Sequence, residues 1–215
     1  MNNIYSETLD KIIALYKGYS EEHRASTQPF HLSKVKNLIK NYEYKTDDLL
    51  VREPLIEHTG SLPVVATAIY PHIENPNVDL GRALIMLAIH DIGELGVGDE
   101  ITFTKKNENA AGEKDFALKL LDPSLHLIYL EMEERTTDTA RFAKAVDKMT
   151  PDIVDLMTPV DVTVARYKAF TKKEPQEIVA LIKEFKHPYM LWNDFMTKLH
   201  LEILQRINTN LEPYY

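Results

Sequence analysis

The sequence predicts an all-α protein, a helical bundle organised as a single domain over residues 1–215. Three observations carry that prediction. Apolar residues recur mostly at helical spacing. Seven glycines in 215 residues, three of them at positions 93, 96 and 98, leave little of the turn chemistry a sheet protein needs. A hydrophobic content of 44% over this length is enough to bury a full core within the size of one domain.

Element by element, Leu9, Ile12, Ile13 and Tyr16 form a first amphipathic stripe that ends at Gly18. Ser33, Val35, Leu38 and Ile39 suggest a second helix after Pro29, and both are expected to pack over a central core. A third helix enters near Arg52 to Thr59, runs through Val64, Val65, Ala68 and Ile69, and stops near Pro71. Proline is tolerated in a first turn and kinks an interior, so Pro63 means either a start near Gly60 or a bend. Asp79 is an N-cap for the next helix, Leu80 to Ile89, which is apolar almost all round from Leu84 onward and reads as buried. The three glycines end it in a tight loop. Glu108 to Leu121 and Ser124 to Glu134 follow, separated by Asp122-Pro123. Thr136-Thr137-Asp138 offers N-caps for a helix holding Phe142, Val146 and Met149. Asp161 to Phe170, Gln176 to Phe185 and Leu191 to Ile207 complete the bundle, the last with Trp192, Phe195, Leu199 and Leu204 in its stripe.

Composition excludes several classes. Without cysteine there is no disulfide, thiolate zinc site or cysteine nucleophile, so any metal must use His, Asp, Glu and water. A net charge of −8, from 33 acidic and 25 basic residues, argues against a nucleic acid polymer as partner and leaves a small phosphorylated ligand open. No window approaches a membrane span and the start lacks a secretory pattern, so the expected location is the cytoplasm.

The chemistry concentrates at His90-Asp91, at the end of the apolar run and followed by Glu94 and Gly98-Asp99. An unpaired aspartate in such a core is costly, so a metal, a cation or an open polar cavity must compensate Asp91. Two ligands do not make a metal site. His58, preceded by Glu57 on an apolar helix, and Asp147, in the otherwise apolar run Ala143 to Met149, are the best further offers. Ala140 and Ala143 leave room on the face that carries Asp147. Two imidazoles and two carboxylates suit one divalent ion with positions left for water and substrate, whether manganese, cobalt, iron, nickel, zinc or magnesium. Glu94, four residues after His90 and three after Asp91, reaches the same side if the helix persists, as an acid–base partner. Read alone, each residue has a plainer role: Asp147 can pair with Lys144 or Lys148, and Arg52 with Glu53 or Glu57. Glu131 and Glu134 belong to a solvated helix face or support Arg52 across a cavity. His72, His126, His187 and His200 read as structural or surface residues.

The order His58, His90-Asp91, Asp147 resembles the metal signature of the HD-domain phosphohydrolases. Glu57-His58-Thr59, His90-Asp91-Ile92-Gly93-Glu94 with Gly98-Asp99, and Ala145-Val146-Asp147-Lys148-Met149 look like the 5′-deoxynucleotidase branch, over roughly residues 50–150. The resemblance implies that His58, His90, Asp91 and Asp147 bind one divalent ion, that Glu94 and Asp99 act near the leaving group, and that Arg52 contacts phosphate. Thr59 would add a hydroxyl hydrogen bond to that phosphate. It also implies a homodimer.

The expected function is therefore a metal-dependent phosphohydrolase, a 5′-nucleotidase acting on (deoxy)nucleoside monophosphates. A phosphodiesterase or triphosphohydrolase on the same ion is the enzymatic alternative. The departures at Thr59-Gly60 and Pro63 from the branch's usual continuation motivate another, a non-catalytic nucleotide-binding sensor.

Overall fold

The computed structural model describes residues 4–24, 53–98, 103 and 107–215. The expected helix around Ser33 to Ile39, together with Arg52 and Asp99, lies outside the described residues. Within them the protein is all-α: α1 (Ile4–Glu21), α2 (Leu55–Ile69), α3 (Leu80–Ile89), α4 (Glu94–Val97), α5 (Asn107–Leu120), α6 (Pro123–Glu134), α7 (Asp138–Met157), α8 (Val160–Thr171), α9 (Pro175–Lys186) and α10 (Asp194–Leu211). The one extended pairing among the described residues is a two-residue bridge, His23 with Pro54.

Local chemistry sets the helix starts. The Asp79 carboxylate accepts the Arg82 amide at 3.0 Å, Thr137 Oγ1 accepts the Ala140 amide at 3.1 Å, and Asn193 Oδ1 accepts the Met196 amide at 3.1 Å. Each satisfies an amide that the first turn leaves without a carbonyl. Asp122 caps α6, with Pro123 at its first position, where the missing N–H costs nothing. Glu174 and Glu177 form a capping box at α9.

α3 and α7 lie against each other at the centre, with α2 packed on both. α6 closes one side, α10 packs along α7, and α9 packs on α10 and reaches α7 through the Lys186–Asp152 pair. The main core joins Leu62 and Ala66 of α2, Met86 and Leu87 of α3, and Phe142, Val146 and Met149 of α7 to Ile178, Ile182, Met196 and Leu204 of the C-terminal helices. A smaller cluster, with Tyr19, Leu55, Ile92, Ala117, Leu121 and Tyr129, lies beneath α1. His58 lies between Leu55 of the smaller cluster and Leu62 of the larger, and His90-Asp91 between Leu87 of the larger and Ile92 of the smaller, which sets these residues where the two clusters meet.

Three expectations change. The stripe of α1 does not face the core: Leu9 is 55% exposed and Tyr16 67% exposed, with Ile12 and Ile13 alike. The helix runs on past Gly18 to Glu21 and docks through Leu15 and Tyr19. α3 is buried on one face, through Ala83, Met86 and Leu87, while Ile85 is 42% exposed. α2 starts at Leu55, ahead of His58, and carries Pro63 in its interior without interruption.

Two glycines permit close approach where the site is built. A Cβ on Gly93 would stand 2.5 Å from the Glu113 carbonyl oxygen of α5, and one on Gly96 would meet the Phe116 ring at 2.3 Å. α5 therefore rests almost on the backbone of the turn that follows α3.

Candidate metal centre

α2, α3 and α7 each deliver one ligand-type side chain to the same buried point. His58 comes from the second turn of α2, His90 is the C-terminal cap of α3, and Asp147 lies mid-way along α7. One ligand atom from each lies within 4.8 Å of the others. His58 Nε2 is 3.4 Å from Asp147 Oδ1, and His90 Nε2 is 3.3 Å from the same oxygen. All three residues are buried.

Asp91 joins from the turn. Its Oδ1 is 3.0 Å from His90 Nε2 and its Oδ2 is 3.6 Å from His58 Nε2. The same Oδ2 accepts a hydrogen bond from Arg24 Nη1 at 3.0 Å, and Arg24 also donates to Glu94 at 3.2 Å. The α3 helix stops at Ile89, so Glu94 does not ride the helix of His90 as its spacing suggests; it opens α4 after a turn. Arg24 nonetheless draws Glu94 and Asp91 together.

Hydrogen bonding decides which atoms face the centre. His90 Nδ1 lies 2.9 Å from the Leu87 carbonyl, so Nδ1–H donates outward and Nε2 points at the cluster. Behind His58, the buried Glu53 carboxyl stands 3.6 Å from Nδ1, beyond hydrogen-bond range but positioned to orient the ring. Burial and the Arg24 charge lower the His58 pKa against the pull of Asp147 and Asp91, which keeps this imidazole neutral. Burial also opposes charge on His90, yet Asp91 and Asp147 outweigh it and push its pKa up to about 9. Asp147 is held well below the usual carboxylate range: burial raises it, but Lys148, His90 and His58 prevail. Burial lifts Glu53 to about 8 despite Arg24.

The residues fit a cation. His58 Nε2, His90 Nε2 and Asp147 Oδ2 are buried with no hydrogen-bond partner. Lys148 Nζ lies 3.2 Å from that oxygen and Lys144 Nζ 3.7 Å, both without hydrogen-bond geometry. Two imidazole nitrogens without hydrogen-bond partners, both within 3.4 Å of Asp147 Oδ1, are costly in a protein interior unless something meets them. Two imidazole nitrogens and a carboxylate suit borderline divalent ions.

The other expected residues divide. Thr59 is half-buried beside His58, and its hydroxyl makes no hydrogen bond to the cluster. Glu131 pairs with Arg82 and Thr137, and Glu134 lies 3.7 Å from Lys114. His200 is buried in a separate network: its Nε2 is 3.1 Å from Asp152 Oδ2, its ring stacks on His187, and Lys186 pairs with the other Asp152 oxygen. Arg24 and Glu53 were not foreseen. They enter together through the His23–Pro54 bridge, in which the Arg24 amide donates to the Glu53 carbonyl at 2.7 Å. The available signal was an acid immediately before the Pro54 that opens a buried helix.

Residues 45–186 match the family model of the HD domain. The chain belongs to the HD-domain family. The matched span holds the His58, His90-Asp91 and Asp147 positions of this HD domain and leaves Arg24 outside it. Two solved structures share the fold. One is the crystal structure of a "predicted metal-dependent phosphohydrolase" from Magnetospirillum magnetotacticum MS-1, with TM-score 0.59 and 20% identity over 94% of this chain and 96% of that one. The other is a conserved hypothetical protein from Pyrococcus furiosus, with TM-score 0.56 and 15% identity over 92% and 99%. No curated protein matches the sequence. Among the described residues, no helix of this HD domain is long and apolar enough to cross a membrane.

Proposed function

We propose that this HD-domain protein is a metal-dependent phosphohydrolase that removes phosphate from (deoxy)nucleoside 5′-monophosphates, with His58, His90, Asp91 and Asp147 holding one divalent ion. The observation that carries the reading is the convergence of buried His58 Nε2 and His90 Nε2, neither with a hydrogen-bond partner, on the Asp147 carboxylate within one ion's reach. The description of the Magnetospirillum neighbour supports phosphohydrolysis, and the resemblance at the motifs supports a nucleotide substrate.

A divalent ion in such a site supplies Lewis-acid polarisation and lowers the pKa of water. The chain's own groups do the rest. His90 presents Nε2 because Nδ1–H is committed to Leu87. Glu94, fixed by Arg24, takes the proton of the attacking water. Lys144 and Lys148 carry positive charge beside Asp147 and draw in the phosphate dianion. Burial opposes the Lys144 charge, but Glu133 and Asp147 hold it protonated well above neutral pH. Arg52 and Thr59 hold phosphate oxygens, and Asp99 acts on the sugar side of the leaving group.

The test is phosphate release from a panel of ribo- and deoxynucleoside monophosphates by chelator-stripped protein, with and without manganese or cobalt. Metal-dependent release by wild type, absent in Asp91→Ala, is expected. Glu94→Ala should retain metal and lose turnover by about 10²–10⁴-fold. Silence across the panel with metal bound overturns the monoesterase reading, and loss of metal by Glu94→Ala overturns the role given to that residue.

A further inference from the structure

A cavity adjoins the metal centre through Lys144. It measures about 290 Å³ and opens between the end of α6, the first turns of α7 and the 188–192 segment. Its lining includes Arg135, Arg141, Lys144 and Glu134, three cationic groups against one anionic, and the rings of Tyr189 and Trp192. Three cations set this close together stand out in a chain of net charge −8. Lys144 belongs to both places: it lines the cavity and lies 3.7 Å from Asp147 Oδ2.

Two features of the cavity are incomplete. Arg141 is neutralised by Asp138 at 2.8 Å and Lys144 by Glu133 at 3.3 Å, but Arg135 makes no ion pair among the described residues; its guanidinium lies over the Tyr189 ring, 5.2 Å from the centroid. Arg135 also adopts the left-handed conformation at φ 53°, which a non-glycine residue holds at a cost. Independently, the Trp192 indole Nε1 is buried without a hydrogen-bond acceptor. An open cation on an aromatic wall beside an orphaned donor fits a planar ring carrying an acceptor-rich anion.

Resting on the phosphomonoesterase reading, we propose that this cavity receives the far end of the substrate, and that the preferred substrate is a nucleotide bearing a second phosphate group that is not hydrolysed. The base lies against Tyr189 and Trp192, the second phosphate on Arg135, and the scissile phosphate past Lys144 at the metal centre. Water adds to the scissile phosphorus, the P–O bond to the sugar breaks with its electron pair, and the sugar oxygen takes a proton. Inorganic phosphate and a nucleoside monophosphate result, the second phosphate leaving with the product.

Trp192 is the chain's single tryptophan, so its emission reports this cavity alone. In chelator, without metal, adenosine 3′,5′-bisphosphate should quench Trp192 emission more tightly than adenosine 5′-monophosphate. Arg135→Gly suits the left-handed backbone and keeps the fold; it should weaken the bisphosphate by about ten- to a hundredfold, the loss of one hydrogen-bonded charge pair, and Arg135→Lys should recover part of it. With metal, kcat/KM for the bisphosphate should exceed that for the monophosphate, and Arg135→Gly should cost the bisphosphate about tenfold more. Equal quenching by both probes, or equal losses in the variant, overturns the proposal. Quenching without phosphate release sinks the phosphomonoesterase reading alone; phosphate release without selective quenching sinks the cavity assignment alone.

Discussion

Replacing Arg24 tests the electrostatic logic of the centre. Its guanidinium lies 3.0 Å from Asp91 and 3.2 Å from Glu94, and the three side chains are each less than a tenth exposed. At an effective dielectric near 20, each contact is worth roughly 5 kcal/mol of gross attraction. Much of that offsets the desolvation of the three charges, so the net loss on removing the cation is about 3–5 kcal/mol, the usual cost of breaking a buried pair from one side. For a chain of this size each kcal/mol moves the melting temperature by about 2–4 °C, which puts Arg24→Met some 6–20 °C below wild type in chelator. Manganese should close much of that gap, because an ion beside Asp91 restores positive charge and stabilises the folded state by mass action. The assay is circular-dichroism melting of both proteins with chelator and with manganese. If they melt within about 2 °C of each other in chelator, the ion pairs are not holding the two carboxylates and the reasoning fails.

Three further outcomes follow from the geometry. Gly93→Ala puts a methyl 2.5 Å from a backbone oxygen of α5, which cannot turn aside, so destabilisation of about 1–3 kcal/mol and weakened metal binding are expected; an unchanged melting temperature contradicts the close approach. Thr137→Ala removes the α7 cap and should cost about 1 kcal/mol in denaturant unfolding. Burial, reinforced by Asp152 and opposed by Lys186, raises Asp155 to about 6. The native carboxyl then binds protons above the pH at which the unfolded one releases them, so its contribution to stability falls as pH rises from about 4 to 6. Asp155→Asn should gain relative to wild type across that window, by a ceiling of about 3 kcal/mol that water at this partly exposed side chain reduces; a constant difference from pH 4 to 7 refutes it.

The helices and caps were legible because they depend on neighbours in sequence: Asp79, Thr137 and Asp122-Pro123 act within their own first turns. His58, His90 and Asp147 were legible because a polar residue on an apolar helix face demands a partner, and three such residues can serve one another. The same signal is present at Asp152, but periodicity reports burial and not what meets the buried group; Lys186 and His200 arrive from helices 34 and 48 residues away. Arg24 was hidden for the same reason, its partners lying 67 and 70 residues on. In α1 the apolar stripe is present, but amphipathicity cannot say whether another element covers it. Pro63 was resolved only by tertiary packing, which holds α2 helical through a residue that on its own favours a break.

Asp147 and Asp152 sit five residues apart on α7, about 140° around the helix axis. One meets the imidazoles of α2 and α3; the other is gripped by Lys186 of α9 and His200 of α10. Apolar side chains tolerate a few degrees of roll, whereas an ion pair and a directional hydrogen bond do not. The central helix is thereby keyed against rotation from two sides, and the aim of the Asp147 carboxylate is set in part by residues at the far end of the chain. Trimming the protein to its family-matching span would keep every ligand-type residue and Lys186 but discard His200, leaving that aim to softer contacts.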